Sequence, residues 1–548
     1  MENTYFNLKY LHKYPNNDEY SGFCYTDRYY EPFVSTTFLE EGVKDRVDYN
    51  LRRRQKMLKE YLTFEFLEDG SFVWKASDST AAKTISYRIN KSEWTVITST
   101  TDGMSVPVSK DDIVEFKGNN ETYCNEINRN ASTGETFSAK MSYFSVTTQF
   151  NAYGNTMSLI DSDNFVLKDN LTEDMTFLGL FNGCTGLLDA EYVILPAMTL
   201  TESCYERMFN DCSNMLIAPE LPAMTLTDRC YYAMFLDCGS LVKCPELPAT
   251  VLGLECYYEM FRQCYKITET PKLPATVLPD ACYKYMFNRC YWLTNVSVVY
   301  DASKTTLGKE CFRGMYAYCT GLTEASIDLQ LEIIPEGTLY STFYSATTLS
   351  KVNAVIGAEN SVAEKEACRS LFQDTFISDA SNIHLNPITV GDSGYCFMFF
   401  QCYNLTEVPE LPATTIGNAC YLDMFGRCSN LEKSAKLMAK EMKPQCYKWM
   451  YTSTKVNEIV CLAENLDYMS KTVSGVTLND LCSPDECVLG IISKNEASPS
   501  VQCKFYVATG TSSKWSGCYY QSHVDGEGYK AERVKVVPNG WTIIEYQE

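Results

Sequence analysis

The chain has little histidine and a deficit of basic residues. Its three histidines, His12, His384 and His523, lie in three different regions. This scatter argues against a recurring Cys/His or Ser/His catalytic set, which needs its members side by side. Lys and Arg number 47 against 69 Asp and Glu, a net charge of −22. Because phosphate binding needs a basic surface, the balance argues against nucleic acid as the main partner and against an anionic membrane surface.

Long apolar segments are also missing. No run of 18 or more apolar residues occurs, which predicts no membrane insertion. Residues 1–14 lack the apolar core of a secretory signal, since Lys and Asn interrupt them. We therefore expect the protein to be made and left in a cytoplasm, or to leave by lysis, unless a signal was removed.

Cysteine, by contrast, is abundant. The chain has 25 cysteines, and 19 of them lie between residues 184 and 461. A disulfide scaffold is one interpretation, but the chain length and the missing signal favour small buried thiols. If pairs such as Cys204 and Cys212 lie on helices, about 12 Å of rise separates them, beyond the reach of about 7 Å between the Cα atoms of a disulfide.

One nine-residue pattern, Cys-Tyr-x-x-Met-Phe-x-x-Cys, recurs every 26 residues at 204–212, 230–238, 256–264 and 282–290. Less regular copies extend the frame to eleven units, with steps of 26 to 29 residues. The units start at Thr176, Cys204, Cys230, Cys256, Cys282, Cys311, Thr338, Ala367, Gly394, Cys420 and Cys446. A fixed period of this length is typical of a solenoid.

Each unit is predicted to be a helix followed by a short strand. Cys204, Met208 and Cys212 are spaced i, i+4, i+8, which indicates one face of a helix. Pro-Glu-Leu-Pro-Ala at 219–223 and 245–249 follows as an extended piece, because proline disfavours helix in the residue before it. Neither face can be buried alone, so neighbouring units must stack.

The flanks differ from the repeats, and the sequence predicts a multidomain α/β protein of four parts. Residues 1–61 form an N-terminal attachment segment ending in a basic helix at 47–61. Residues 62–165 form a β-sandwich of short strands separated by turns, with strands expected at 64–66, 71–74, 84–87, 94–97, 113–116 and 144–147. Residues 170–460 form a leucine-rich-repeat-like solenoid. Residues 461–548 form a β-rich C-terminal cap, with strands expected at 475–478, 487–492, 503–507 and 540–545. The basic helix carries Arg52, Arg53, Arg54, Lys56 and Lys59. It is interpreted as a solvated face, as a docking element for an acidic partner, or as a DNA-contacting helix.

The repeats resemble the BspA-type leucine-rich repeats of gut Bacteroidetes and their phages, in the Cys-Tyr-x-x-Met-Phe-x-x-Cys-x-x-Leu variety with Pro-Glu-Leu-Pro-Ala-Thr. The resemblance covers about 285 residues and extends to the flanks, including Val537-Pro-Asn-Gly-Trp-Thr-Ile-Ile. It implies surface adhesion or recognition rather than catalysis. Bacterial members usually carry export signals, whereas this chain begins with about 60 unmatched residues, which favours a phage virion protein.

Metal sites have weak support. Cys482, Cys487, Cys503 and Cys518 are candidates for a structural zinc site, for one disulfide or for buried thiols. Asp161, Asp163 and Asn164 are interpreted either as Ca²⁺ ligands or as a turn. We expect no cofactor.

Aromatic residues at variable positions are the candidate binding residues. Equivalent positions of a solenoid align as stripes, which either anchor a sugar or protein partner or cover the seams between neighbouring helices. The candidates are Tyr232, Tyr258, Tyr285, Tyr265, Tyr291, Trp292, Tyr403 and Trp449.

The leading hypothesis is a non-enzymatic phage tail or head fibre or appendage. Residues 1–61 would bind other virion proteins, and the solenoid would bind a host-surface glycan or protein. A bacterial cell-surface adhesin and a purely structural virion decoration are the alternatives. An enzyme such as a depolymerase remains a third class, but no carboxylate pair stands out among the 69 acids. The expected location is the virion or, for the adhesin, the bacterial surface, and a homo-oligomer is compatible with either.

Overall fold

A computed structural model describes residues 51–130, 136–443, 445–464, 503–516 and 541–547, together with six short strands. Four of these lie near the N-terminus as two antiparallel pairs: β1 (His12–Lys13) with β2 (Tyr20–Ser21), and β3 (Cys24–Thr26) with β4 (Glu31–Phe33). The described chain consists mostly of strands in several sheets, with few helices.

Two α-helices occur among the described residues. Helix α1 covers 51–58, which confirms the predicted basic helix over that part, and it buries Leu51 and Met57. Helix α2 is the single turn Ser512–Ser516. Three short 3-10 helices lie at Ser79–Ala81, Thr156–Leu159 and Phe165–Leu167.

The chain divides into two compact units. Unit 1 comprises Met1–Gly253 and Pro271–Ala275, and unit 2 comprises Leu254–Thr270 and Thr276–Glu548. Unit 1 therefore holds the N-terminal sheets together with the first repeats.

Ten strands build the two larger sheets of unit 1. They are β5 (Leu62–Phe66), β6 (Gly70–Ala76), β7 (Thr84–Ile89), β8 (Thr95–Thr98), β9 (Met104–Val108), β10 (Ile113–Lys117), β11 (Cys124–Arg129), β12 (Thr136–Ser145), β13 (Phe150–Asn155) and β14 (Leu187–Ile194). One sheet has the order β14-β13-β5-β10-β7-β8, and the other has β11-β12-β6-β9. Each of the six predicted strands overlaps an observed strand, although β12 ends at Ser145, whereas β9, β11, β13 and β14 were not predicted.

The two sheets pack against each other through phenylalanine rings. Phe64 of the six-stranded sheet lies 4.9 Å from Phe144 of the four-stranded sheet, measured between ring centroids. Phe72 and Phe116 make a second contact of this kind at 5.2 Å, with the rings edge to face. These four side chains are fully buried, as expected where the inner faces of two sheets form a core.

The first repeat continues this core. Strand β14 pairs in parallel with β13, and the Phe144 amide donates to the Leu180 carbonyl oxygen at 2.8 Å. The Phe181 ring stacks on Phe144 at 5.8 Å. The repeats therefore start on a template that the N-terminal sheets provide.

The prediction of a helix over each nine-residue motif is wrong. With Cys204 as position 1 and Cys212 as position 9, the residues at positions 0, 4 and 8 have positive φ, as in Ser203 (54°), Arg207 (53°) and Asp211 (58°). The same three positions have positive φ in all eleven repeats. Residues in this left-handed region end a right-handed helix, so the motif is instead a run of consecutive turns.

Two kinds of backbone hydrogen bond alternate along this run. In unit 2, the amides of Tyr395 and Phe397 donate to Cys420 and Leu422 of the next repeat, at 3.0 and 2.9 Å. The intervening amides of Cys396 and Met398 donate three residues back, at 3.2 Å each. Every second amide therefore joins a parallel ladder between repeats, which satisfies buried backbone groups without a helix. We call this arrangement the turn ladder.

The constant residues of the motif form the interior of the turn ladder. In unit 2, position 6 carries a continuous column of parallel rings with centroids 5.5 to 5.8 Å apart. The column consists of Phe261, Phe287, Tyr316, Phe343, Phe372, Phe399, Phe425 and Tyr451. The backbone conformation repeats every four residues, so the side chains at positions 1, 5 and 9 all point into the interior, as for Cys256, Met260 and Cys264.

Proline determines whether a strand forms in the segment between two motifs. In unit 2, where this segment lacks Pro-Glu-Leu-Pro-Ala, four strands form a parallel sheet: β16 (Asn295–Val299), β18 (Glu324–Leu329), β20 (Lys351–Ile356) and β22 (Ile383–Leu385). The proline-containing pieces 219–223 and 245–249 of unit 1 form no strand, because proline cannot donate to a ladder. The strand that was predicted in every repeat is therefore present only in some of the repeats.

A second set of two-residue strands precedes the motifs of unit 2. They are β15 (Val277–Leu278), β17 (Thr306–Leu307), β19 (Ile333–Ile334), β21 (Val362–Ala363), β23 (Thr389–Val390) and β24 (Thr415–Ile416), all paired in parallel.

The C-terminal part continues the parallel pairing. β25 (Lys436–Leu437), β26 (Glu458–Cys461), β27 (Cys503–Val507) and β30 (Trp541–Glu545) form one sheet in that order. The predicted strands at 503–507 and 540–545 are thus confirmed over their described residues, while those at 475–478 and 487–492 lie outside them. β28 (Tyr519–Ser522) pairs with β29 (Glu532–Lys535).

Candidate functional site

The cysteines are structural in every part of the chain that the structure describes. The 21 cysteines whose side chains the structure describes are free and buried, which confirms the predicted burial. The position-9 thiol donates to the carbonyl oxygen of the position-6 residue in the preceding repeat, as for Cys428 Sγ and Phe399 O at 3.1 Å. Burial raises the pKa of the Cys319 thiol to about 12, so it is protonated at neutral pH. A buried, protonated thiol is a poor nucleophile and metal ligand.

The basic residues of α1 point in two directions. Arg54 forms an ion pair with Glu220 at 2.7 Å, and the Arg53 guanidinium lies 4.1 Å from the centre of the Tyr192 ring. These two side chains hold α1 against the repeats of unit 1. Arg52, Lys56 and Lys59 are exposed.

Three of the eight candidate aromatics are poorly placed for binding. Tyr232 and Tyr258 are only 1% and 3% exposed, and Tyr285 is half-buried. In unit 2, neighbours cover these rings: Lys284 Nζ lies 5.4 Å from the Tyr258 ring centre and 5.8 Å from that of Tyr285. The interpretation of these rings as seam covers agrees with their burial, although the seams run between turn runs rather than helices.

Several cations lie beside rings along position 3 of unit 2. The Arg313 guanidinium lies 4.2 Å from the Tyr340 ring centre, and that of Arg369 lies 5.5 Å from the same ring. Each arginine also pairs with an acid three residues earlier, Glu310 and Glu366 respectively. These charges are matched within the chain, so this row stabilises neighbouring repeats.

The exposed row of unit 2 lies directly after position 9. We call it the follow-on row. Every member is half-buried or exposed, in the order Tyr265, Tyr291, Thr320, Thr347, Phe376, Tyr403, Ser429 and Lys455. The row therefore reads two aromatics, two threonines, two aromatics, serine and lysine. Successive parallel chains lie about 4.8 Å apart, which aligns these side chains in a line across the repeats.

Aromatic residues make two patches on this row. In the first patch the Tyr265 and Tyr291 rings stack at 5.1 Å with an angle of 11°, and Trp292 beside them is 56% exposed. Gly321 occupies the equivalent of Trp292 in the next repeat, where a Cβ would lie 2.1 Å from the Tyr291 carbonyl oxygen. No side chain at position 321 can therefore cover Trp292 from that side.

The second patch consists of Phe376 and Tyr403, which are 54% and 47% exposed. The Gln401 side-chain amide lies 3.2 Å from the Tyr403 hydroxyl and steadies it. Trp449, the remaining candidate, is 43% exposed but lies at position 4, with Lys448 Nζ at 4.5 Å from its ring. Trp449 therefore does not belong to the row.

The proposed Ca²⁺ ligands form a turn. Asp161 Oδ1 accepts hydrogen bonds from the amides of Asn164 and Asp163, at 2.9 and 3.2 Å. These bonds hold the pKa of the Asp161 carboxyl below its ordinary value. Among the described residues no group of three His, Cys, Asp or Glu side chains is arranged to hold a metal ion. Cys482, Cys487 and Cys518 lie outside the described residues, while Cys503 is buried and free.

Comparison with models of known protein families gave no match, and comparison with curated proteins gave none either. Within the described residues, every helix is too short or too polar to cross a bilayer.

Phe376, Thr320 and Thr347 escaped the sequence interpretation. The sequence could have identified them, because each directly follows position 9 of its repeat, as Tyr265 and Tyr291 do. Tabulating one alignment column across all units, rather than searching for aromatics, would have found the row.

Proposed function

We propose that this chain is a non-enzymatic phage structural protein, a tail or head fibre or appendage that presents its repeats for host-surface recognition. In this proposal residues 1–61 attach to the particle, 62–165 form a β-sandwich spacer, 170–460 form the solenoid and 461–548 cap it. The cross-repeat hydrogen bonds and the two packed N-terminal sheets support this organisation.

The observation that carries the proposal is the follow-on row. Its side chains change from repeat to repeat while the interior positions stay constant, and it exposes apolar rings at two separate patches. Exposed aromatic anchors are typical of recognition surfaces. The described thiols are buried, and charged residues four positions after the row pair between repeats, Lys351 with Glu324 and Lys433 with Glu407, so the chemistry favours binding over catalysis.

Attachment through the N-terminal segment is supported by α1. Arg53 and Arg54 already contact the chain itself, which leaves Arg52, Lys56 and Lys59 to face an acidic surface of another virion protein. Assembly in the host cytoplasm agrees with 21 free thiols, because that compartment keeps thiols reduced.

Mass spectrometry of purified virions tests the location. The chain should co-purify with the particle at a constant ratio to the major structural proteins, and its absence from particles would refute the virion assignment. If it is found instead on bacterial envelopes, the adhesin alternative holds.

Adhesion of the fluorescently labelled full chain to intact Bacteroidetes cells tests the recognition role. We expect saturable binding to some capsule types and not to others. A chain that is present in virions but adheres to no capsule type would be a structural decoration.

A further inference from the structure

We propose that the follow-on row of unit 2 binds an extended polysaccharide whose sugar rings run along the row, across successive repeats. The glycan would stack on the first patch (Tyr265, Tyr291 and Trp292) and on the second patch (Phe376 and Tyr403). This inference rests on the proposed recognition function and names its ligand class.

The spacing of the row suits a chain of sugars. Successive repeats are about 4.8 Å apart, close to the length of one pyranose residue in an extended polysaccharide. Tyr291 and Phe376 belong to units that start at Cys282 and Ala367, three repeats apart, so the two patches are separated by about 14 Å. One glycan of about six residues therefore reaches both.

The chemistry of the row fits the two kinds of surface that a pyranose offers. Its C–H face is apolar and stacks on an exposed ring, which Trp292, Phe376 and Tyr403 provide at 56%, 54% and 47% exposure. Between the patches, Thr320 and Thr347 place hydroxyl groups where the sugar hydroxyls need hydrogen-bond partners.

Charge points to an uncharged glycan. In the row itself only Lys455, at the far end, is charged, and Lys266 occupies the equivalent of Trp292 in the preceding repeat. The whole chain carries a net charge of −22, which repels a polyanion. A glycan rich in carboxylates would therefore bind more weakly than a neutral one.

The test uses the full chain on an array of capsular and lipopolysaccharide glycans from gut Bacteroidetes, printed beside defined neutral and uronate-containing hexasaccharides. We expect neutral, extended glycans to be retained. For the best of these, hexasaccharide affinity should exceed that of the corresponding disaccharide by at least about 10-fold, because only the longer ligand reaches both patches.

Two variants locate the site. Tyr291→Ala/Trp292→Ala and Phe376→Ala/Tyr403→Ala should each weaken hexasaccharide binding at least about 10-fold. Ile333→Ala/Val362→Ala is the matched control, because both residues are exposed and apolar, at 52% and 37%, but lie on β19 and β21. The control should bind as the unmodified chain does. Unchanged affinity in both patch variants, or retention of no glycan, would overturn the inference.

Treatment of the cells separates this inference from the broader recognition role. Periodate cleaves the vicinal diols of sugars, whereas a protease removes surface proteins. Adhesion that resists periodate but is lost after protease treatment would leave host recognition standing and refute the glycan. Absence of adhesion to any cell would refute both.

Discussion

Replacement of Ser341 by alanine and by glycine distinguishes the turn ladder from a helix. Ser341 lies at position 4, in the middle of the motif that starts at Thr338, and its φ is 55°. Its amide donates to the Arg369 carbonyl oxygen of the next repeat at 2.8 Å. Gly179 and Gly314 occupy the same position in two other units, with φ of 62° and 60°.

The two structures predict opposite orders of stability. A Cβ in the left-handed region costs about 1–2 kcal/mol, and glycine removes that cost. Glycine also gains entropy in the unfolded chain, which offsets about 0.4–1 kcal/mol of this benefit. In the turn ladder Ser341→Gly should therefore be more stable than Ser341→Ala by about 0.5–1 kcal/mol. In the interior of a helix alanine would instead be more stable than glycine by about 1 kcal/mol.

Urea unfolding of the full chain measures the difference, provided that the dependence on denaturant is the same for both variants. Ala302 and Ala302→Gly supply the control, because Ala302 is exposed and has no positive φ. At this control site alanine should be the more stable. A higher stability of Ser341→Ala than of Ser341→Gly would refute the turn ladder.

Three further results follow from buried side chains. Phe343→Ala should destabilise the chain by about 3–5 kcal/mol in urea, since the ring is fully buried between two others, whereas Phe376→Ala should change stability little. In the native protein at most four of the 25 thiols should react with a thiol reagent, because 21 are buried, and reaction of more would contradict that burial. Burial raises the pKa of Asp423 from 3.8 to about 7, so the folded state holds a proton that the unfolded state has lost between these values. Stability should therefore fall as pH rises from about 4 to 7, by at most about 4 kcal/mol, and Asp423→Asn should remove this dependence in thermal melts.

The framework of the repeats was predictable, but its backbone was not. The constant Cys, Met and Phe side chains are interior, as their recurrence indicated, and α1 and the N-terminal strands lie where their patterns placed them. A spacing of four residues fits a helix of 3.6 residues per turn nearly as well as a turn run of period four, because two steps differ by only about 80°. Nine residues are too few to separate the two periods.

The sequence identified only part of the candidate site, because it did not reveal the turn-ladder backbone. Tyr265, Tyr291, Trp292 and Tyr403 are exposed or half-exposed in unit 2, whereas Tyr258 is covered. Outward side chains on packed helices are well separated, whereas in the turn ladder equivalent side chains of neighbouring repeats lie only about 4.8 Å apart. A long cation such as Lys284 then lies over the neighbouring ring, which the sequence of one repeat alone does not reveal.

Adhesion to host cells tests most directly whether the exposed row, rather than the constant framework, performs recognition. The measurement compares the labelled full chain, a variant with alanine at Tyr291, Trp292, Phe376 and Tyr403, and the Ile333→Ala/Val362→Ala control on one susceptible capsule type. We predict that the row variant loses at least about 90% of saturable binding at an unchanged melting temperature, and that the control retains it. Equal adhesion by the row variant and the unmodified chain would contradict the proposed function of the row.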